Sequence, residues 1–310
     1  MIHFNLTDSR NYHSVQNQLL DLIKVHLPEG AWTEGHGYVD GKLNFSLFIH
    51  QKSDVLMSHG AADKNYHFRK DPEDKTLRLS HTLGRTDLLV PGPWMKRRLS
   101  KSRHLNFDEN SVHIVGWPRL DPFFNNRRPA AEDPAPQPRR KRILWAPTHD
   151  FIKPGPEEGR LSSYPDFQPF FDKLSETYDA AVSLHPRNRK EKTPTGMALM
   201  DADVVVTDFG TMVYEAVALG KQVIFPHWLI GERLKTYITN SAENVIFQKE
   251  FGLHAHSFDE MRDMIESGRQ MDERARAFFE DYLPPETYGK SGKMIADVLL
   301  HLAAQKTLSK

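Results

Sequence analysis

The chain contains no cysteine, which excludes a disulfide framework, thiolate catalysis and any Cys-ligated zinc, and fits a reducing compartment. Nor does any apolar run approach the ~20 residues of a membrane-spanning helix. The N-terminal stretch MIHFNLTDSR lacks the basic start and apolar middle of a signal peptide, so the expected location is cytoplasmic. Charge of one sign is missing too: 41 Lys and Arg balance 41 Asp and Glu. No global field draws in nucleic acid, and an anion site must come from local clustering. Sixteen histidines are present, but none forms an HExxH or other helical metal pair, so no metal-ligating residue is expected. What remains is a chain of 310 residues, 39% hydrophobic and 26% charged, long enough for two domains with real cores.

The most informative stretch is DADVVVTDFGTMVYEAVALGKQVIF, from Asp201 to Phe225. The apolar run Val204 to Val206 reads as a buried strand, Asp208-Phe209-Gly210-Thr211 as a tight turn, and Met212 to Leu219 as a helix stopped by Gly220. With Val223 to Phe225 as a following strand, this is a β-α-β unit of a parallel sheet. Its turn lies at the carboxyl end of a strand, where ligands of open α/β sheets bind and where the helix's unpaired N–H groups can hold an anion. Glu215, one helical turn beyond Thr211, is placed to accept hydrogen bonds from a ribose. The alternative is that Gly210 and Thr211 only cap the helix and Glu215 is solvated. Asp201 and Asp203 resemble a metal-binding pair but precede their strand, on the edge away from the turn.

Earlier in the chain, Met1 to Thr7 reads as a strand, and Val15, Leu19, Leu22 and Ile23 mark a helix closed by Pro28-Glu29-Gly30. Leu43 to Ile49 is a strand or a short helix. Asp54 to Ser58 is a strand ending in His59-Gly60, where the imidazole can project above the sheet and glycine lets a ligand approach. Asp87 to Val90 and Ser111 to Val115 are further strands, the second running into the turn Gly116-Trp117-Pro118-Arg119-Leu120-Asp121. The basic segment Lys96 to Arg103 is either a solvated helix face or a contact for anionic lipid head groups or a polyanionic acceptor near the inner face of the membrane. Residues 127–142, RRPAAEDPAPQPRRKR, form a proline-rich linker. Ile143 to Thr148 opens a second domain, and Lys153 to Ser163 reads as a mobile loop. A helix over Asp166 to Tyr178 and a strand over Ala181 to Leu184 lead to His185-Pro186-Arg187, a pairing suited to a phosphate. Ser257 to Glu260 is a capping box, and Gly289 to Leu302 a terminal helix. The domain boundaries so obtained are 1–126, 127–142 (linker), 143–288 and 289–310 (C-terminal helix).

His59-Gly60, GWPRLD at Gly116 to Asp121, ILWAPT at Ile143 to Thr148, LHPR at Leu184 to Arg187, the ADVVVTDFGTMVYEAVALGKQVIF unit and the late GKSGK segment occur in an order that resembles the CDP-glycerol glycerophosphotransferase family. That family makes teichoic acids and related capsular polymers. The resemblance implies an α/β chain of GT-B architecture: two Rossmann-like domains facing across a cleft, with the last helix crossing back to the first. It further implies a transferase that moves a polyol phosphate from a CDP-linked donor to a hydroxyl of a glycan or polyol-phosphate acceptor, releasing CMP.

Carried over residue by residue, the resemblance assigns His59 as general base and His185 as the second catalytic histidine. Thr148, Arg187, Asp208, Gly210, Thr211, Met212 and Glu215 become the donor and phosphate site, with Gly60, Lys64 and Arg119 on the acceptor side. This chain reads His-Gly-Ala-Ala-Asp-Lys from His59 to Lys64, without the family's threonine-proline pair, and Gly210 replaces one hydroxyl residue of the second-domain turn. No tightly bound cofactor is implied, with room left for a divalent cation assisting the phosphates. A GT-B glycosyltransferase using a nucleotide sugar is the main rival, because a helix-end phosphate site serves both reactions. A non-catalytic nucleotide- or glycan-binding module is the third reading.

Overall fold

A computed structural model describes residues 1–62, 85–101, 107–126, 139–148, 152–153, 159–185, 195–236 and 241–308. The chain divides into two units, one comprising Met1–Ala61, Asn65–Arg127 and Glu280–Lys310, the other Ala62–Lys64 and Arg128–Phe279.

In the first unit, strands β1 (Ile2–Leu6), β2 (Trp32–His36), β3 (Leu43–Ser46), β4 (Val55–Met57), β5 (Asp87–Val90) and β6 (Val112–Ile114) form one sheet in the order β2-β1-β3-β4-β5-β6. Every neighbouring pair is parallel. Buried on both faces, β4 and β5 read as short apolar runs, whereas β1 and β3 alternate apolar residues with the buried polar residues His3, Asn5, Asn44 and Ser46. Helix α1 (His13–Lys24) crosses from β1 and sinks Leu19, Leu20 and Ile23 into the core. Helix α2 (Pro93–Ser100) follows β5, and the GWPRLD segment folds into a 3-10 turn over Pro118–Leu120 and a short helix α3 (Asp121–Asn125).

In the second unit, β7 (Arg142–Ala146), β10 (Asp179–Val182), β11 (Val204–Thr207), β12 (Gln222–Pro226) and β13 (Leu253–Ala255) form an all-parallel sheet in the order β10-β7-β11-β12-β13. A two-stranded hairpin, β8 (Ile152–Lys153) with β9 (Gly159–Arg160), lies between β7 and helix α4 (Gln168–Thr177). The remaining helices are α5 (Thr195–Asp201), α6 (Thr211–Ala218), α7 (His227–Thr236), α8 (Ala242–Lys249), α9 (Phe258–Ser267) and α10 (Glu273–Tyr282). Alternate strand residues Ile143, Trp145, Val204, Val206 and Ile224 pack with Phe167, Phe171, Met261 and Ile265 into one core. Trp145 is wholly buried, its indole N–H donating to Ser163 Oγ at 3.0 Å. The capping box of α9 forms with a variation: Ser257 Oγ accepts from the Glu260 amide at 3.1 Å, while the Glu260 carboxylate accepts from the amide of His256, 2.7 Å away.

The chain rejoins the first unit at Glu280, inside α10, earlier than the boundary at 289 read from the sequence. Helix α11 (Ser291–Leu308) then completes that unit. Its start is locked to the GWPRLD segment. Asp121, 5% exposed, accepts hydrogen bonds from the amides of Ser291 (3.1 Å) and Gly292 (2.7 Å), which the first turn of a helix cannot pair internally. Gly292 leaves no room for a side chain: a Cβ there would stand 2.2 Å from the carbonyl oxygen of Leu22.

Candidate active site

Both sheets carry the strand order in which a second strand lies outside the first and a third on its other side, so each has a topological switch point between its first and third strands. In the second unit those strands are β7 and β11, and the segments leaving them are Pro147-Thr148 and Asp208-Phe209-Gly210-Thr211. The two segments are bound to each other. Asp208, fully buried, accepts at Oδ2 from the Thr148 amide (3.0 Å), the Ser163 amide (3.1 Å) and the Ser162 hydroxyl (3.2 Å). Ser162 Oγ also lies 2.9 Å from the Thr148 carbonyl oxygen, so its single proton is shared between that oxygen and Asp208, and Thr207 Oγ1 donates to the Ala146 carbonyl at 2.7 Å. Asp208 Oδ1 has no hydrogen-bond partner among the described residues. Desolvation pushes the Asp208 carboxyl up to about 6, against the hydrogen bonds from Ser163, Thr148 and Ser162 that favour its charge.

Gly210 is the N-cap of α6, with φ +104° and ψ −167° and no side-chain cap. That backbone conformation belongs to glycine. The turn therefore presents backbone at the helix start. Thr211 and Met212 are partly exposed there, where helix amides lack intrahelical acceptors. Glu215 lies one turn along α6 and is 2% exposed, so it is not a solvated residue. His185 is partly exposed beyond β10, whose strand spans Asp179–Val182 rather than Ala181–Leu184. Arg187 lies outside the described residues, so its phosphate role remains an expectation read from the sequence.

Ser162 and Ser163 were not singled out from the sequence. They fall at the end of the stretch read as a mobile loop, yet both are wholly buried. At this end of the stretch the expectation is corrected, because the two hydroxyls serve the buried carboxylate and indole; residues 154–158 lie outside the described residues. Asp201 and Asp203 are at the opposite edge, as their position before β11 indicated. Asp203 forms a bidentate pair with Arg139 (2.7 and 2.8 Å), and Asp201 lies 3.8 Å from Arg142. A cavity of about 470 Å³ at that edge, lined by Arg139, Arg140, Arg142, Tyr178 and Asp179, is remote from the switch point.

In the first unit, His59 follows β4. Its amide donates to the Leu47 carbonyl at 3.0 Å, its ring stacks on Phe48 with centroids 4.9 Å apart, and it meets Tyr12 edge-on at 5.2 Å. Phe48 comes from beyond β3 and Tyr12 from beyond β1, so the imidazole sits where these two strands diverge. The Gly60 amide donates to Ser58 Oγ at 3.2 Å. The Tyr282 hydroxyl donates to the Ala61 carbonyl at 2.6 Å, fixing the residue where the resembled motif has a threonine. Lys64 lies outside the described residues. Arg119 is partly exposed on the 3-10 turn.

Of the segment Lys96 to Arg103, Arg97 pairs with both carboxylate oxygens of Asp281, and the Arg98 guanidinium lies 6.0 Å from the Trp94 ring centroid. Residues 102–103 lie outside the described residues. No helix among the described residues is long and apolar enough to cross a membrane.

Two solved structures of the wall teichoic acid polymerase TagF match this chain at 14% identity with a TM-score of 0.64, covering 99–100% of it and 90% of the polymerase chain. The fold is GT-B. UDP-GlcNAc 2-epimerase from Neisseria meningitidis, bound to UDP-GlcNAc, matches at 12% identity and TM-score 0.51, covering 97% of this chain and 99% of the epimerase. The S. aureus MnaA-UDP co-structure matches at 12% identity and TM-score 0.53, covering 100% and 98%. No protein family and no curated protein matches the sequence.

Proposed function

We propose that this GT-B protein is a transferase that moves a polyol phosphate from a CDP-linked donor to an acceptor hydroxyl of a cell-surface glycan or polyol phosphate, with CMP leaving. The observation that carries the reading is the Asp208 tie. It fixes the Thr148 segment and the Gly210-Thr211-Met212 turn side by side at a switch point, so that helix-end amides are preorganised for a diphosphate. His185 and Arg187 add cationic or donor groups to that anion site, and Glu215 is the residue assigned to the ribose. Asp208 acts as a positioning residue.

His59 takes the proton of the acceptor hydroxyl as its oxygen attacks the distal phosphorus; the phosphorus–oxygen bond to CMP breaks, and CMP carries the electron pair away. Gly60, Lys64 and Arg119 belong to the acceptor side. The likeness to TagF, including a variant soaked with CDPG, supports the donor class. The likeness to proteins solved with UDP or UDP-GlcNAc supports the second reading, a nucleotide-sugar glycosyltransferase. Incubation with CDP-glycerol, CDP-ribitol and a panel of nucleotide sugars separates them. Release of CMP supports the first; release of a nucleoside diphosphate from a sugar donor replaces it with the second; binding without turnover of any donor leaves a non-catalytic module.

A further inference from the structure

Three polar side chains meet where β12, β13 and α8 end. His227 opens α7 directly after β12, His256 follows β13, and Glu250 is the left-handed C-cap of α8. One ligand atom from each lies within 4.8 Å of the others. His256 Nε2 is 3.3 Å from Glu250 Oε2. That separation already matches the edge of a tetrahedron drawn around a metal with ligands at roughly 2.1 Å, which is about 3.4 Å.

His227 differs from the other two. Its side chain is only 3% exposed, and its Nε2 has no hydrogen-bond partner among the described residues. The neighbouring hydrogen bonds fix which ring nitrogen carries the proton. His254 Nε2 lies 3.2 Å from the Phe251 carbonyl oxygen, which can only accept, so His254 is protonated at Nε2 and bears its lone pair on Nδ1. His227 Nδ1 lies 2.8 Å from that lone pair and must be the donor. The His227 lone pair is thereby left on Nε2, the orphaned buried atom. His227 thus donates its other ring N–H, as metal-ligating histidines do, here to a second imidazole that is itself anchored on a backbone carbonyl.

The sequence also makes room for the ring. Gly231, four residues further along α7, would place a Cβ 2.0 Å from His227 Cδ2 and 2.2 Å from its Nε2. Glycine thus costs helix propensity there and admits an imidazole that makes no hydrogen bond through its inner face.

We propose that His227 Nε2, Glu250 and His256 bind a divalent transition metal of the zinc class, clipping the ends of β12, β13 and α8 together. Two imidazoles and a carboxylate select zinc or cobalt over magnesium or calcium. Glu250 (44% exposed) and His256 (50% exposed) leave an entry path and the freedom to close on the ion. Glu232, with Oε1 3.8 Å from His227 Nε2, or a water takes the fourth position.

The test uses the full chain stripped with EDTA and freed of any affinity tag, titrated with CoCl₂ and ZnCl₂ and compared with MgCl₂. One equivalent of Co²⁺ should give a visible band of tetrahedral intensity that zinc displaces, and zinc should raise the melting temperature by at least ~3 °C, whereas magnesium should not. Glu250→Gln and His256→Asn are surface changes whose metal-free melting curves report intact folding. Each should weaken zinc binding at least ~10-fold. Absence of the band, or equal zinc affinity in both variants and the parent, overturns the proposal and leaves His227 a core histidine beside a surface ion pair.

Discussion

Asp208 and Thr148, sixty residues apart in sequence, are joined by a 3.0 Å hydrogen bond from the Thr148 amide to the Asp208 carboxylate. The bond runs between the segments leaving two adjacent parallel strands, and the carboxylate that makes it has no exposure. A charged group in that place is costly, which turns the geometry into a dependence on pH.

The carboxyl of Asp208 is pushed from 3.8 up to about 6 by burial. The folded state therefore holds this proton more tightly than the unfolded state. Its stabilising contribution is fully present below pH ~4 and is lost as pH rises through about 6, a total of about 3 kcal/mol. Asp208→Asn removes the ionisation while Oδ1 of the amide can accept from Thr148 and Ser163. Denaturant midpoints of both proteins, measured from pH 4 to 7, should show the wild type declining relative to the variant across this window, with contributions from all other groups cancelling in the difference. Parallel curves would show that Asp208 does not titrate there.

Gly210 and Gly268 both have positive φ, +104° and +62°, but only the first heads the helix at the switch point. Gly210→Ala should cost roughly 1–3 kcal/mol from backbone strain and weaken CDP binding by about tenfold or more, because the turn that aims the amides must shift. Gly268→Ala, at the left-handed C-cap of α9, should cost about 1 kcal/mol and leave CDP binding unchanged. Isothermal titration with CDP on both variants distinguishes a binding turn from a merely strained one.

How much of this was readable beforehand varied with burial. The strands β4, β5, β7, β11 and β12 stand out as apolar runs because they are covered on both faces, and β1 as an alternation of apolar and polar residues. Edge strands carry a weaker signal. Trp32–His36 alternates only loosely between partial burial and exposure, and Asp179–Val182 is largely exposed, so the first escaped notice and the second was placed two residues late. That Asp208, Gly210 and His59 lie at strand ends was legible, because the apolar runs before them mark where β11 and β4 stop. Ser162, Ser163 and the His227, Glu250 and His256 cluster were not, since nothing local marks residues that meet only when separate loops fold onto one sheet edge.

The grip of Asp121 on the start of α11 is a second buried tie, this one within the first unit. Asp121→Ala leaves the amides of Ser291 and Gly292 without their acceptor and should destabilise the protein by about 2–3 kcal/mol. Asp121→Asn retains one acceptor oxygen and should lose less. Because the effect lies in folding, the melting temperature should fall while the CDP affinity of the remaining folded protein stays constant.

His59 is held by contacts within the first unit: its amide bonds Leu47, and its ring packs on Phe48 and Tyr12. Replacing it with alanine removes the ring and keeps the backbone hydrogen bond. If His59 is the base, His59→Ala should lower turnover of the accepted CDP-polyol donor by on the order of 10²–10⁴ while the thermal shift produced by CDP persists. His59→Gln should behave in the same way, because an amide fills the aromatic slot without accepting the proton. Loss of CDP binding in either variant would move His59 from base to donor contact, and full turnover in both would assign the proton transfer to another residue.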